Sequence, residues 1–319
     1  MKNKTIAIIG SPGCGKTTNA VKLAIEIAKL KQNVIYVSLE RMVPALPYLL
    51  PNFNEQNTSL GDLLTRPSIS QQEIAQACMA VSKHKHISLL GYKFGDFHRK
   101  YPDLVYDCIY NLYFQLQAMA PYVIIDCSYL IEEDLASNLA LLAADIIVRF
   151  GSADLKGMCY FNTLEQLLSD QNSFPKDKQI TIVSNCKVSQ NWQQVAAMYG
   201  QVFGVIPHLN ELSKQYDELN LWTDLTSKEA YIYMELITKL TNQITGNIKT
   251  KEVLSEIKAE RNKEIKEEKK IERKYFLHSF LGIGKSNDMN NLDKNTKKGK
   301  SSAVKLKKKN PKKGKTGEW

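Results

Sequence analysis

Gly10-Ser11-Pro12-Gly13-Cys14-Gly15-Lys16-Thr17-Thr18 is the stretch from which the fold of this chain can be read. It matches G-x-x-x-x-G-K-[ST], and its surroundings suit that motif. Thr5 to Ile9 before it is apolar and β-rich, while Lys16 to Leu30 after it carries apolar residues at helical spacing. Glycines let such a loop curl until its N–H groups point at phosphate oxygens, and the helix N-terminus adds partial positive charge. Lys16 is then placed to reach the β- and γ-phosphates, and the Thr17 hydroxyl to ligate Mg²⁺. A Gly-rich turn joining strand to helix would explain the glycines, but not the Lys-Thr pair.

Past this first helix, Asn33 to Val37 is apolar again, which completes a βαβ unit and implies a parallel sheet. Further apolar runs follow at Ile87 to Leu90, Tyr122 to Ile125, Ile146 to Val148, Ile180 to Val183 and Val202 to Ile206. Helical stretches are expected over Leu104 to Met119, Leu135 to Ala144, Phe161 to Leu168, Trp192 to Tyr199 and Lys228 to Ile244. This alternation predicts an α/β fold: a doubly wound, mostly parallel sheet with ligands at the carboxyl ends of the strands.

The 319 residues suit one sizeable α/β domain with appendages. The net charge of +10 is uneven, because residues 246–319 carry 22 Lys/Arg against 10 Asp/Glu and the rest of the chain is slightly acidic. We therefore expect an ATPase domain over 1–245, a charged helix with a short amphipathic segment over 246–285, and a disordered Lys-rich tail over 286–319. Six scattered cysteines, with no C-x-x-C pair and no leader-like start, lead us to expect reduced thiols in a cytoplasmic protein. No apolar run reaches the ~20 residues that span a bilayer, so any membrane contact is expected to be peripheral.

Two acidic residues complete the candidate chemistry. Tyr122-Val123-Ile124-Ile125-Asp126 is an apolar strand ending in a carboxylate, which would place Asp126 beside Mg²⁺. Glu40 ends the second apolar strand, where a carboxylate would either polarise an attacking water or simply be a surface residue starting a loop. Cys14 either fills space before Gly15 or, beside a helix N-terminus, has a lowered pKa.

Taken in order, these segments resemble the MinD/ParA family over most of residues 1–245. Val123-Ile124-Ile125-Asp126-Cys127, then Asn138, Leu139 and Ala143-Ala144-Asp145-Ile146-Ile147-Val148, resemble that family's switch II strand, helix and next strand. Ser59-Leu60-Gly61-Asp62-Leu63-Leu64 resembles its segment after switch I. The resemblance implies that Asn185, in Val183-Ser184-Asn185, reads adenine and that Pro207, in Gly204-Val205-Ile206-Pro207, flanks the base. Where the family's second strand ends in two acids, this chain has Ser38 and Glu40, an ending more like the TadZ/CpaE-type branch. The family's signature lysine, which crosses to a partner's nucleotide, is replaced by Ser11.

ATP is the expected nucleotide, with Mg²⁺, because Asn185-Cys186-Lys187-Val188 does not supply the N-K-x-D or T-K-x-D motif of guanine binders. The resemblance implies a slow switch that forms homodimers and positions a membrane-associated pilus or conjugative secretion assembly. The alternatives are a DNA-partition ATPase gripping DNA through its basic tail, and a non-catalytic scaffold. Tyr275 to Gly284 sets Phe276 and Phe280, and Leu277 and Leu281, four apart between basic flanks, and resembles the membrane-targeting helix of MinD. Either it docks on an anionic membrane surface, placing the protein peripherally on the inner face, or it folds into a groove of the ATPase domain or docks a protein partner.

Overall fold

A computed structural model describes residues 3–52, 58–169 and 175–246. Cα proximity divides the chain into Met1–Leu254 and Ser255–Trp319, and all described residues lie in the first unit. The charged helix expected at Lys249 to Lys274, the Tyr275 to Gly284 segment and the Lys-rich tail lie outside the described residues.

Strand β1 (Lys4–Gly10) leads through the Gly-rich loop into α1 (Lys16–Lys29) and then β2 (Val34–Ser38). Three short helices follow, α2 (Leu46–Leu49), α3 (Leu60–Leu64) and α4 (Gln71–Ala77), before β3 (Met79–Ala80) and β4 (Ile87–Gly91). The chain continues through α5 (Tyr106–Met119), β5 (Tyr122–Asp126), α6 (Leu135–Ala143), β6 (Ile146–Ser152), α7 (Leu155–Ser169) and β7 (Gln179–Cys186). It then forms α8 (Trp192–Met198), β8 (Val202–Pro207), α9 (Asn210–Asp217) and α10 (Tyr231–Thr245).

The eight strands lie in the order β3-β4-β2-β5-β1-β6-β7-β8, all parallel except the β3–β4 pair. This is the doubly wound sheet that the alternation of runs predicts. Residues along β1 alternate between its faces: Ala7 and Ile9 join the layer under α5, α6 and α7, while Ile6 and Ile8 join the layer under α1 and α10. Burial on both faces is what makes the strands read as continuous apolar runs.

Two departures have local causes. Helix α7 begins at Leu155, not Phe161, and Gly157 lies in its first turn. A Cβ there would come within 2.4 Å of the Tyr199 hydroxyl, so this glycine serves close packing and does not mark a break. The expected last helix is a 3₁₀ turn, Lys228–Ala230, followed by α10, and Gly246 with φ 65° closes it. Among the described residues no helix is long and apolar enough to cross a membrane.

Candidate nucleotide-binding site

The Gly-rich loop hangs between β1 and β6. Ser11 N donates to the Phe150 carbonyl at 3.1 Å, and the Ser11 hydroxyl accepts the Ser152 N–H at 3.1 Å. Gly10 must be glycine, since a Cβ there would sit 2.6 Å from Cys14 Sγ and 2.9 Å from the Phe150 carbonyl oxygen. Gly13 and Gly15 take φ of 76° and 79°, the left-handed region that turns the chain back into α1.

A buried chain of hydrogen bonds braces the loop from below. Ser184 Oγ, near the end of β7, donates to the Cys14 carbonyl at 2.8 Å and accepts from Asn19 Nδ2 at 2.8 Å. The Tyr233 hydroxyl of α10 donates to Asn19 Oδ1 at 2.9 Å. Cys14 is itself buried, and burial pushes its thiol up to about 12. Of the two readings of Cys14, space filling is the one consistent with this geometry, and the lowered pKa is not.

Lys16, Thr17 and Asp126 converge. Lys16 Nζ donates to Asp126 Oδ1 at 2.5 Å and to the Cys127 carbonyl, while Thr17 Oγ1 donates to Asp126 Oδ2 at 2.7 Å. Burial alone would lower the Lys16 ammonium, but the Asp126 charge and hydrogen bond outweigh it and hold it above its ordinary value. A third donor was not read from the sequence: the buried Tyr36 hydroxyl of β2 donates to Asp126 Oδ2 at 2.9 Å. Burial, reinforced by the Asp126 charge, raises Tyr36 well above its ordinary value and keeps it a donor.

A cleft of about 500 Å³ opens above these groups. All nine residues from Gly10 to Thr18 line it, as do Glu40, Asn185 and Pro207, so the structure gathers the sequence-read candidates except the buried Asp126 at one place. Asn185 takes φ 57°, its Nδ2 donates to the Gly13 carbonyl at 3.3 Å, and His208 Nδ1 lies 2.7 Å from its Oδ1. Strand β2 stops at Ser38, so Glu40 does not end the strand as expected but stands two residues beyond it, where the chain has left the sheet and Glu40 accepts the Met42 N–H at 3.2 Å. Tyr48 and Tyr216, with ring centroids 5.7 Å apart, also line the cleft and were not among the candidates. Their partners lie far apart in sequence, so no local signal marks them.

The arrangement fits a nucleoside triphosphate with Mg²⁺. No side chain caps the N-terminus of α1, which leaves its first-turn N–H groups for an anion. Space is open where a Cβ on Gly13 would stand. Thr17 and Asp126 offer two hard oxygens side by side, and Mg²⁺ takes few protein ligands and completes its shell with phosphate and water. Among the described residues no three His, Cys, Asp or Glu side chains gather into a metal cluster.

No protein-family model and no curated protein matches the chain. Solved structures do. A candidate plasmid partition protein from Borrelia burgdorferi B31, bound to AMPPNP, superposes with a TM-score of 0.61 at 18% identity, over 76% of this chain and 99% of that one. The ATP complex of a single-residue variant of McdA from Cyanothece gives 0.57 at 19%, over 77% and 97%. The septum site-determining protein MinD from Pyrococcus horikoshii OT3, complexed with Mg-ADP, gives 0.54 at 14%, over 75% and 96%. The chain therefore has the P-loop α/β fold seen in ParA- and MinD-type ATPases.

Proposed function

We propose that this chain is a Mg²⁺-dependent, ATP-binding and ATP-hydrolysing switch of the MinD/ParA type. The observation that carries the reading is the meeting of Lys16 and Thr17 from the loop with Asp126 from the end of β5, beneath a cleft lined by the whole Gly-rich motif. Lys16 neutralises β- and γ-phosphate charge, and Thr17 and Asp126 hold Mg²⁺ and its waters. Glu40 orients the attacking water from the cleft wall. Asn185 and Pro207 read and flank the adenine. Solved proteins of the same fold carrying AMPPNP, ATP and Mg-ADP support the choice of nucleotide.

Residues 1–245 form the ATPase domain, and the charged segments beyond it deliver the switch to a surface. Two copies pair in the ATP state without help from position 11, since the Ser11 hydroxyl is occupied with Ser152. The positioned cargo is a membrane-associated pilus or secretion assembly on the cytoplasmic face. What supports this over DNA partition is the Tyr36-Val37-Ser38-Leu39-Glu40 sequence, which resembles the TadZ/CpaE-type branch, and the apolar segment from Tyr275 to Gly284.

The test is ATP and GTP turnover by the purified full chain, with Mg²⁺ or a chelator, and with anionic vesicles or duplex DNA. We expect Mg²⁺-dependent ATP turnover that is lost in Lys16→Ala. Wild-type rates in that variant overturn the catalytic reading, and stimulation by DNA but not by vesicles favours partition.

A further inference from the structure

We propose that Arg41 positions Glu40 for the reaction, through a ring of hydrogen bonds, closed by the main chain, that joins the segment after β2 to the segment after β5. The inference rests on the ATPase reading above. Strands β2 and β5 are neighbours, with Ser38 opposite Asp126, and Leu39 N donates to the Asp126 carbonyl at 2.9 Å. The two segments therefore leave the sheet side by side. One carries Glu40 and Arg41, and the other carries Ser128 and Asp134.

Ser128 Oγ lies 3.5 Å from Glu40 Oε2, the longest link of the ring. Ser128 N donates to Ser137 Oγ at 2.8 Å, and Ser137 Oγ donates to Asp134 Oδ2 at 2.5 Å. Arg41 Nη2 donates to Asp134 Oδ1 at 3.1 Å, which returns the ring to the residue after Glu40. Ser128, Asp134 and Ser137 are 6%, 4% and 0% exposed, so water does not compete for the bonds among these three.

Arg41 is not needed to cap α6, because Asp134 Oδ2 already accepts the Ser137 N–H at 3.0 Å. What Arg41 adds is a second attachment between the two segments, one residue from the carboxylate that faces the cleft. Burial raises the Asp134 carboxyl above its ordinary value despite its bonds to Ser137 and Arg41. Without the guanidinium that carboxylate has less to hold its charge, and the ring opens at the Arg41–Asp134 ion pair. Glu40 itself is held by the Met42 N–H and the long approach of Ser128, so its placement then depends on segments that the Arg41–Asp134 pair no longer ties together.

The experiment compares the full chain with Arg41→Ala, Arg41→Lys, Glu40→Gln and the Arg41→Ala/Glu40→Gln double variant. A misplaced catalytic group costs up to about a hundredfold in rate, so Arg41→Ala is expected to lower kcat by roughly ten- to a hundredfold while ATP affinity holds. Arg41→Lys recovers part of the loss, and Arg41→Ala costs nothing further once Glu40 is glutamine. A wild-type kcat in Arg41→Ala, or losses that multiply in the double variant, overturns the proposal. Amide exchange of residues 127–137 without nucleotide reads the ring independently of turnover. Faster exchange in Arg41→Ala is expected, and an unchanged pattern overturns the ring itself. If exchange quickens but the wild type turns over no ATP, the ATPase reading falls and takes the role of Glu40 with it.

Discussion

The Asn19 side-chain amide and the Ser184 hydroxyl, 165 residues apart in sequence, meet in a buried hydrogen bond of 2.8 Å. Because Ser184 Oγ also donates to the Cys14 carbonyl, one serine ties α1, the phosphate loop and β7 together. Ser184→Ala strands a buried donor and a buried acceptor, a loss of about 1–3 kcal/mol. We expect a lower urea midpoint together with weaker ATP binding, since the loop loses its brace. An unchanged midpoint would show that the bond carries no stability.

Lys16 has a second consequence. Asp126 is fully buried, and Lys16 is its cationic partner, with a side chain 11% exposed. Breaking a buried pair from one side costs about 3–5 kcal/mol at the upper end, and here the Thr17 and Tyr36 hydroxyls soften that. Lys16→Ala should therefore lower the thermal midpoint of the nucleotide-free protein as well as stopping turnover. Adding Asp126→Asn should recover part of the midpoint, because the stranded charge is gone. A Lys16→Ala chain as stable as the wild type contradicts this. Sequence alone suggests the opposite, a lysine serving phosphate and dispensable to the fold, because it does not reveal that Asp126 is sealed from water.

Thiol chemistry gives a third check. Cys14 is buried with its pKa pushed up to about 12, so almost none of it is thiolate at neutral pH. Cys159 is exposed. Maleimide at neutral pH should modify Cys159 well before Cys14, as peptide mass spectrometry would show. Equal labelling would mean the phosphate loop opens far more than its packing against Phe150 allows.

How far the sequence reaches depends on whether a feature is local. The loop from Gly10 to Thr18 and the apolar runs of β1, β2 and β5 are legible because their signals sit in consecutive residues. The two-residue β3 is too short to leave a pattern, and α9 is a mostly polar helix whose cleft-facing Leu212 and Tyr216 are outnumbered. Tyr36 looks like one more apolar strand residue until its hydroxyl is found on Asp126, 90 residues away. The Arg41–Asp134 pair is hidden for the same reason. Such partners are set by the register of β2 against β5, which a single sequence does not display.

Helix α9 supports the last prediction. Glu211 in its first turn accepts the Thr226 N–H at 2.8 Å and the Ser227 N–H at 3.0 Å, which fastens α9 to the segment entering α10. Burial would raise the Glu211 carboxyl, but these hydrogen bonds and those of the Thr226 and Ser227 side chains outweigh it, bringing it from 4.5 to about 2. Between those values the unfolded chain binds more protons than the folded one, so this contribution rises with pH. It is fully present above about pH 4.5 and is lost as pH falls through about 2. Glu211→Gln keeps an acceptor oxygen but no titration. The difference in urea midpoint between wild type and Glu211→Gln should therefore be constant near neutrality and shrink on acidification across that window. Because Ser213 and Tyr216 of the same helix line the cleft, the variant should also bind ATP more weakly at neutral pH. A midpoint difference independent of pH would show that Glu211 acts through shape alone and not through its charge.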